Sequence, residues 1–222
     1  MPQLDLIATS TFGLEAVVVR ELQALGYDAK VEHPGRILFH GDGAAIARTN
    51  LWLRSSDRVL LRLGTFEAHD FGVLFDETFA LPWHEWLPRD AAFPVVGRSV
   101  KSQLSSVPAC QKIVKKAVVE KLRAAYGVTE LSEAGARYHI EIAMREDRAT
   151  LTLDTSGPGL HKRGYRTLSG PTPLKETLAA GMIELTFWKD DRPMLDPFCG
   201  TGTLVIEAAL IGRNIAPGHR RA

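Results

Sequence analysis

Gly200 and Gly202 stand one residue apart in the stretch MLDPFCGTGT, Met194 to Thr203, which runs directly into the apolar segment LVIEAALIG. Glycines at that spacing let the backbone turn tightly and come close to a ligand. The free N–H groups at the start of a helix favour a polar or anionic group. A short apolar run, Asp196, the two glycines and an apolar helix together read as the strand–turn–helix opening of a doubly wound α/β fold. Cys199 lies inside the turn, where a helix N-terminus could activate a nucleophilic thiolate. The seven histidines show neither His-x-x-x-His nor Cys/His ligand spacing, so no metal site is expected.

A second chemistry is carried by cations. Between Arg98 and Arg123 there are seven Lys/Arg (Arg98, Lys101, Lys112, Lys115, Lys116, Lys121 and Arg123) against the single acid Glu120. Over Val107 to Tyr126 the apolar residues Ile113, Val114, Ala117, Val118 and Leu122 recur at helical spacing, with Cys110 beside that stripe as a core residue. Lys112, Lys115, Lys116 and Arg123 are three or four residues apart, or sums of those steps, which puts them on another face. Such a face suits phosphate, and a plainly solvated helix face has the same pattern. Further on, His161, Lys162, Arg163 and Arg166 surround Tyr165 in a Gly/Pro/Ser-rich stretch with no acid before Glu176. Arginines interleaved with an aromatic fit phosphate contact and base stacking, although a polar linker would also look like this.

The elements that must position these residues follow from periodicity. Residues 4–9 read as a strand, Thr11 caps a helix that ends at Gly26, and strands at 29–32 and 36–40 are joined by Pro34-Gly35. A helix over 44–53 and a strand over 58–66 complete a β-α-β-β-α-β order, which is the ferredoxin-like arrangement. Residues 67–90 carry six acids against one base and the tryptophans Trp83 and Trp86. They read as a helical connector whose indoles pack inward. From Phe93, a strand, the basic helix and a hairpin turning at Glu146-Asp147 form a second small α/β unit. A helix over Leu174 to Trp188 then leads to the strand before Asp196.

The totals agree with a soluble globular chain: 222 residues, 45% hydrophobic, 24% charged and net charge +1. Any polyanion signal must therefore be local. Two distant cysteines give no disulfide framework, the N-terminus lacks a signal peptide pattern, and no stretch approaches the roughly 20 apolar residues of a membrane span. A cytoplasmic protein without membrane association is expected.

The blocks FPVVGRSVKSQL, LDTSGPGLHKRGYR, PLKETLAAG and LDPFCGTGTLVIEAALIGRNIAPG, in this order behind a ferredoxin-like unit, resemble the THUMP-domain RNA methyltransferases. The branch they match is the bacterial one that methylates the exocyclic 2-amino group of guanine in 23S ribosomal RNA. The resemblance implies a ferredoxin-like unit at 1–66, an acidic connector and THUMP RNA-binding domain at 67–158, and a linker with the first elements of a Rossmann-like methyltransferase domain at 159–222. It implies S-adenosylmethionine as cofactor, bordered by Thr172, Pro173 and Leu174 and cradled by Asp196, Pro197, Phe198, Cys199, Gly200, Thr201, Gly202 and Thr203. Asp196 is then placed near the cofactor ammonium, and the backbone around Cys199 binds rather than attacks. A nicotinamide turn would want a third glycine, where Val205 stands. RNA is the implied partner of Arg98, Lys101, Lys112, Lys115, Lys116, Arg123, His161, Lys162, Arg163, Tyr165 and Arg166.

Two of the family's parts have no counterpart here. From Leu204 onward the only acid is Glu207, so the residue that closes on the cofactor ribose is absent, and so is the Asn/Asp-Pro-Pro-Tyr loop that orients the amine. No catalytic residue is therefore assigned. The expectation is a piece of a longer enzyme, on the order of 150 residues short of a complete domain, that binds RNA without methylating it. A stand-alone THUMP RNA-binding protein and a tRNA guanine methyltransferase are the alternatives.

Overall fold

The computed structural model describes residues 3–166 and 173–221, so Thr172 lies outside the described residues. Two compact units emerge, Met1–Leu60 with Pro158–Ala222, and Leu61–Gly157. The expected three-part division runs in chain order, whereas this compactness joins its first and last parts.

In the first unit, β1 (Leu4–Ser10), α1 (Glu15–Ala24), β2 (Ala29–His33), β3 (Arg36–Gly41), α2 (Gly43–Trp52) and β4 (Ser56–Glu67) follow the expected ferredoxin-like order. The strands lie in the order β2-β3-β1-β4, and β4 continues into the second unit. β1 and β3 are antiparallel with Leu6 opposite Phe39 and Ala8 opposite Ile37. These residues are buried, as are Val17, Val18 and Leu22 along α1. Thr11 does not cap α1; the helix begins one turn later, after Leu14 and without a side-chain cap. Glu15 reaches back instead, its carboxylate accepting from the Gly13 and Gly35 amides at 2.8 Å each. A first-turn acid thereby takes over the task of a capping hydroxyl. Asp42 caps α2 in the ordinary way, accepting from Ala45 N at 3.0 Å.

In the second unit the strand order is β4-β7-β6-β5, with β5 (Val95–Val100), β6 (Ile140–Arg145) and β7 (Arg148–Asp154). β5 runs parallel to β6, so a crossover is required, and α4 (Val107–Tyr126) supplies it. β6 and β7 form a hairpin whose turn residues Glu146 and Asp147 both have positive φ, 51° and 63°, as a two-residue hairpin loop demands. Cys110, Val114, Ala117, Val118 and Leu122 are the buried stripe of α4, while Ile113 is only half-buried. α3 (Phe71–Ala80) packs on α4. In the short 3₁₀ turn that follows, Trp83–Glu85, the Trp83 indole is fully buried and donates to Thr78 O at 2.7 Å. Trp83 is thus a packing residue, and Trp86 is half-buried beside it in the chain.

The C-terminal stretch of the first unit differs from expectation in two places. The helix expected over Leu174 to Trp188 is shorter, α5 (Glu176–Glu184), and Leu185 and Phe187 beyond it are exposed. The strand expected before Asp196 does not form. Among the described residues no strand pairs with Met194 and Leu195, and a lone strand has no ladder to hold it; Leu195 is 87% exposed. α6 (Thr203–Gly212) forms as expected and packs on α5.

What holds this stretch against the ferredoxin-like strands and helices is a buried arginine. Arg163 is 3% exposed; its Nη1 donates to Leu160 O at 2.7 Å, its Nη2 to Arg54 O, and its Nε lies 3.5 Å from Glu207 Oε1 on α6. Tyr165 OH donates to the same Glu207 oxygen at 3.0 Å. Thr177 adds a hydrogen bond to Asp57 at 2.7 Å, and Lys175 an ion pair with that carboxylate at 2.8 Å. Removing one partner of a buried pair strands the other, so Arg163→Ala should cost about 3–5 kcal/mol in denaturant unfolding. Glu207 is fully buried, and that burial pushes its carboxyl above the ordinary range, with Arg163 pulling it back less. The folded chain therefore holds this proton more tightly than the unfolded chain. Its stabilising contribution is present in acid and is lost as pH rises through the raised value. Thermal melts between about pH 4 and 8 should show the stability of Glu207→Gln relative to the unsubstituted chain rising with pH; a pH-independent difference would refute the assignment.

Candidate functional site

The glycine turn is shaped by its own backbone. Gly200 and Gly202 both have positive φ, 52° and 74°, which side-chain-bearing residues adopt at a cost. Gly202 N donates to Cys199 O at 2.7 Å, closing the turn, and Asp196 Oδ1 accepts from Phe198 N at 3.1 Å. Asp196 thus builds the entry to the turn, with one oxygen committed to the backbone. α6 starts from Gly202 with no side-chain cap, so its first amides and the positive end of its dipole stay available to a polar ligand. A Cβ on Gly200 would meet only Phe198 O, at 4.0 Å, so the space beside it is open. Pro197 to Thr201 are exposed, Phe198 at 93%.

Arg166 joins this turn rather than facing solvent. Its Nε donates to Glu176 Oε1 at 2.8 Å, its Nη1 to Thr201 Oγ1 at 3.2 Å, and its Nη2 to Thr203 Oγ1 at 3.0 Å and Leu174 O at 3.4 Å. Leu174, Thr201 and Thr203, all expected at the cofactor, are brought together by this one guanidinium. Pro173 is exposed nearby in sequence.

The stretch from His161 to Arg166 was expected to face RNA, and most of it does not. Arg163 is buried on backbone carbonyls and Glu207, because an apolar helix carrying one acid needs a cation against it. Tyr165 is committed to Glu207, and burial and that carboxylate raise its hydroxyl pKa. Burial, then Lys175, lowers the pKa of His161, which disfavours the positive charge that an RNA contact would use. Lys162 is exposed. The acids that bind these arginines, Glu176 and Glu207, were missed as site residues. Their signal is partly legible: Glu207 is a lone acid in an otherwise apolar helix just after the glycine turn, and Glu176 stands within the PLKETLAA block at the head of a mostly apolar one.

In the second unit the cations of α4 do not act alike. Lys112 and Arg123 are exposed, and among the described residues neither has an ion-pair partner. Lys116 is exposed, 3.8 Å from Glu120 and 5.5 Å from the centre of the Phe75 ring. Lys115 is turned away, its ammonium bonded to Glu133 and to Phe93 O and 3.7 Å over the Phe93 ring. Arg98 is exposed on β5, 3.8 Å from Glu141. Lys101 is exposed with a φ of 52°, in a loop pinned from within: Ser99 Oγ donates to Leu104 O at 2.8 Å and Gln103 N to Asp147 Oδ1 at 2.7 Å. That amide, first among several causes, holds the Asp147 carboxyl below its ordinary range.

Comparison with known proteins bears on these features. Residues 5–60 match the RlmL ferredoxin-like domain, residues 68–154 the THUMP domain, and residues 163–222 the RMKL-like methyltransferase domain. The chain is 53% identical over its full length to a Bacillus subtilis protein described as "Putative RNA methyltransferase YpsC", of which it spans 58%. Among solved structures it superposes at TM-score 0.96 and 54% identity on a Listeria monocytogenes protein described as a "predicted N6-adenine-specific DNA methylase", again spanning 58% of that chain. It superposes at TM-score 0.94 and 46% identity on SMU.472, described as "a putative methyltransferase complexed with SAH", spanning 59% of it. The chain thus spans little more than half the length of these relatives. In domain content it is a ferredoxin-like N-terminal domain, then a THUMP domain, then the start of a methyltransferase domain, and it is similar to the N-terminal part of RNA methyltransferases of that build.

Proposed function

We propose that this chain supplies RNA recognition and the first half of the cofactor site to an S-adenosylmethionine-dependent methyltransferase acting on the exocyclic amine of guanine in 23S ribosomal RNA, in the cytoplasm. The observation that carries the reading is an uncapped helix N-terminus behind a doubly left-handed glycine turn, in one chain with a THUMP domain. SAH in the SMU.472 structure, which is 46% identical, supports the cofactor class. When bound, S-adenosylmethionine supplies a methyl group on a cationic sulfur. The residues present fit its amino-acid end: Gly200 leaves room, the turn exposes its backbone, and Asp196 adds a carboxylate at the turn's entry.

The chain's own contribution is binding and orientation. The turn from Cys199 to Gly202 would hold the methionine moiety by backbone groups, with Pro173 and Leu174 at its border, while the THUMP domain holds the RNA. A guanine amine needs no strong base ahead of transfer, so placement carries most of the work. Cations without a partner are the ones that gain from phosphate. Lys112 and Arg123, with Lys101 and the weakly paired Arg98 and Lys116, are therefore the favoured RNA contacts. Of the second basic stretch, Lys162 is the exposed member.

Two experiments test this reading. The complete protein encoded by the gene, incubated with labelled S-adenosylmethionine and ribosomal RNA from undermethylated cells, should incorporate label into N2 of guanine. The 222-residue chain alone should incorporate none. Label in tRNA would move the substrate, and label only in DNA adenine would replace the proposed function. For the RNA grip, Lys112→Glu with Lys116→Glu should weaken RNA binding about tenfold or more, and should flatten the plot of log affinity against log salt by about 0.7–0.9 per lost phosphate contact. Unchanged affinity and slope would mean that this face is only solvated.

A further inference from the structure

The bonds of Arg166 leave the outer side of the glycine turn open and brace its inner side. Its guanidinium ties the end of the His161 to Arg166 segment to two other stretches, the entry to α5 at Leu174 and Glu176 and the turn at Thr201 and Thr203. Four of its five N–H donors can be assigned to these partners. The two threonine hydroxyls are 3.3 Å apart, so the fork closes a small ring of polar groups from the two residues that flank Gly202 in the chain. Thr203 is buried at the first position of α6. Fixing its hydroxyl fixes where the helix begins, and hence where its free amides point.

We propose that Arg166 is a positioning residue for the cofactor rather than an RNA contact. It sets the conformation of the Thr201–Thr203 turn in which the backbone accepts the methionine end of S-adenosylmethionine. This rests on the reading of the turn given above. The geometry favours arginine specifically. A planar fork can serve a carboxylate and two hydroxyls at once, whereas an ammonium on a flexible stem cannot hold all three at these distances. The Glu176 carboxylate at 2.8 Å also balances the guanidinium charge, so the brace does not repel a cationic ligand beside it.

The test uses the complete protein with S-adenosylmethionine, SAH and its RNA. Arg166→Ala should raise the KM for S-adenosylmethionine and the Kd for SAH tenfold or more, with kcat changed less than threefold and RNA affinity unchanged. Arg166→Lys should not rescue, because charge is kept and the fork is lost. Thr203→Val should raise the same constants, and adding Arg166→Ala to it should cost less than threefold more, since both changes break one contact. Melting curves identify any variant that does not fold; the lysine and valine variants carry the test if the alanine variant fails. Intact cofactor constants with weakened RNA binding would return Arg166 to the RNA interface and overturn the proposal. Full rescue by lysine would reduce its role to charge and overturn it as well. An unsubstituted protein that binds neither S-adenosylmethionine nor SAH would instead defeat the cofactor reading itself, and the positioning role with it.

Discussion

The structure of the first unit depends on one buried charge pair. Glu207 sits on an apolar helix with no exposure, and a carboxylate so placed cannot persist without a cation and hydrogen bonds close to it. Arg163 meets it and also donates to the carbonyls of Leu160 and Arg54, while Tyr165 donates to the same carboxylate. Arg54 in turn donates to Ile215 O at 3.0 Å, just past the end of α6. These bonds tie the start of the methyltransferase domain to the loop between α2 and β4 at two points, the middle of one helix and just past its end. Hydrophobic contact alone would let α6 slide or rotate, because its apolar surface is nearly uniform around the helix. A directional network selects one orientation, and the orientation of α6 is what aims its N-terminal amides.

The fold was largely legible because its signals are local. Strand alternation and helix periodicity place every strand and helix of the ferredoxin-like unit, and the hairpin at Glu146-Asp147, within a few residues. The misses are of two physical kinds. Thr11 is a good cap by type, but Glu15 satisfies the Gly13 and Gly35 amides from inside the helix, a contact that only the folded hairpin makes possible. The strand before Asp196 has the right composition and no partner among the described residues, and strand identity is a property of the sheet more than of the segment. Periodicity reports which face is apolar. It says nothing about whether a neighbour will be present to pair with.

The candidate site was legible at its glycines and much less so at its cations. Gly200 and Gly202 have the positive φ that their spacing implies. In contrast, HKRGYR reads as a nucleic-acid signature, yet the structure turns Arg163 inward and Arg166 toward the turn. Sequence counts charges, and folding pairs them. The acid that takes up Arg163 lies 44 positions away in the chain, beyond any window in which charge balance is normally read, and the one that takes up Arg166, 10 positions on, stands just past the end of the basic stretch. For Glu207, its standing as a lone acid in an apolar helix is the better clue, because burying it demands a cation from elsewhere.

This pairing separates two electrostatic needs that composition alone merges. RNA is bound by cations that keep their full charge in water and exchange counterions for phosphates. A cofactor carrying a sulfonium and an ammonium is repelled by the same cations. Lys112 and Arg123 on α4 have no ion-pair partner among the described residues, and the loop before α4 holds Lys101 out in solvent. Around the glycine turn, the guanidiniums of Arg163 and Arg166 are each matched by a buried glutamate, Glu207 and Glu176. One near-neutral chain can therefore present a positive surface suited to a polyanion and a charge-balanced turn suited to a cationic ligand, because its buried acids lie beside the turn and away from Lys112 and Arg123.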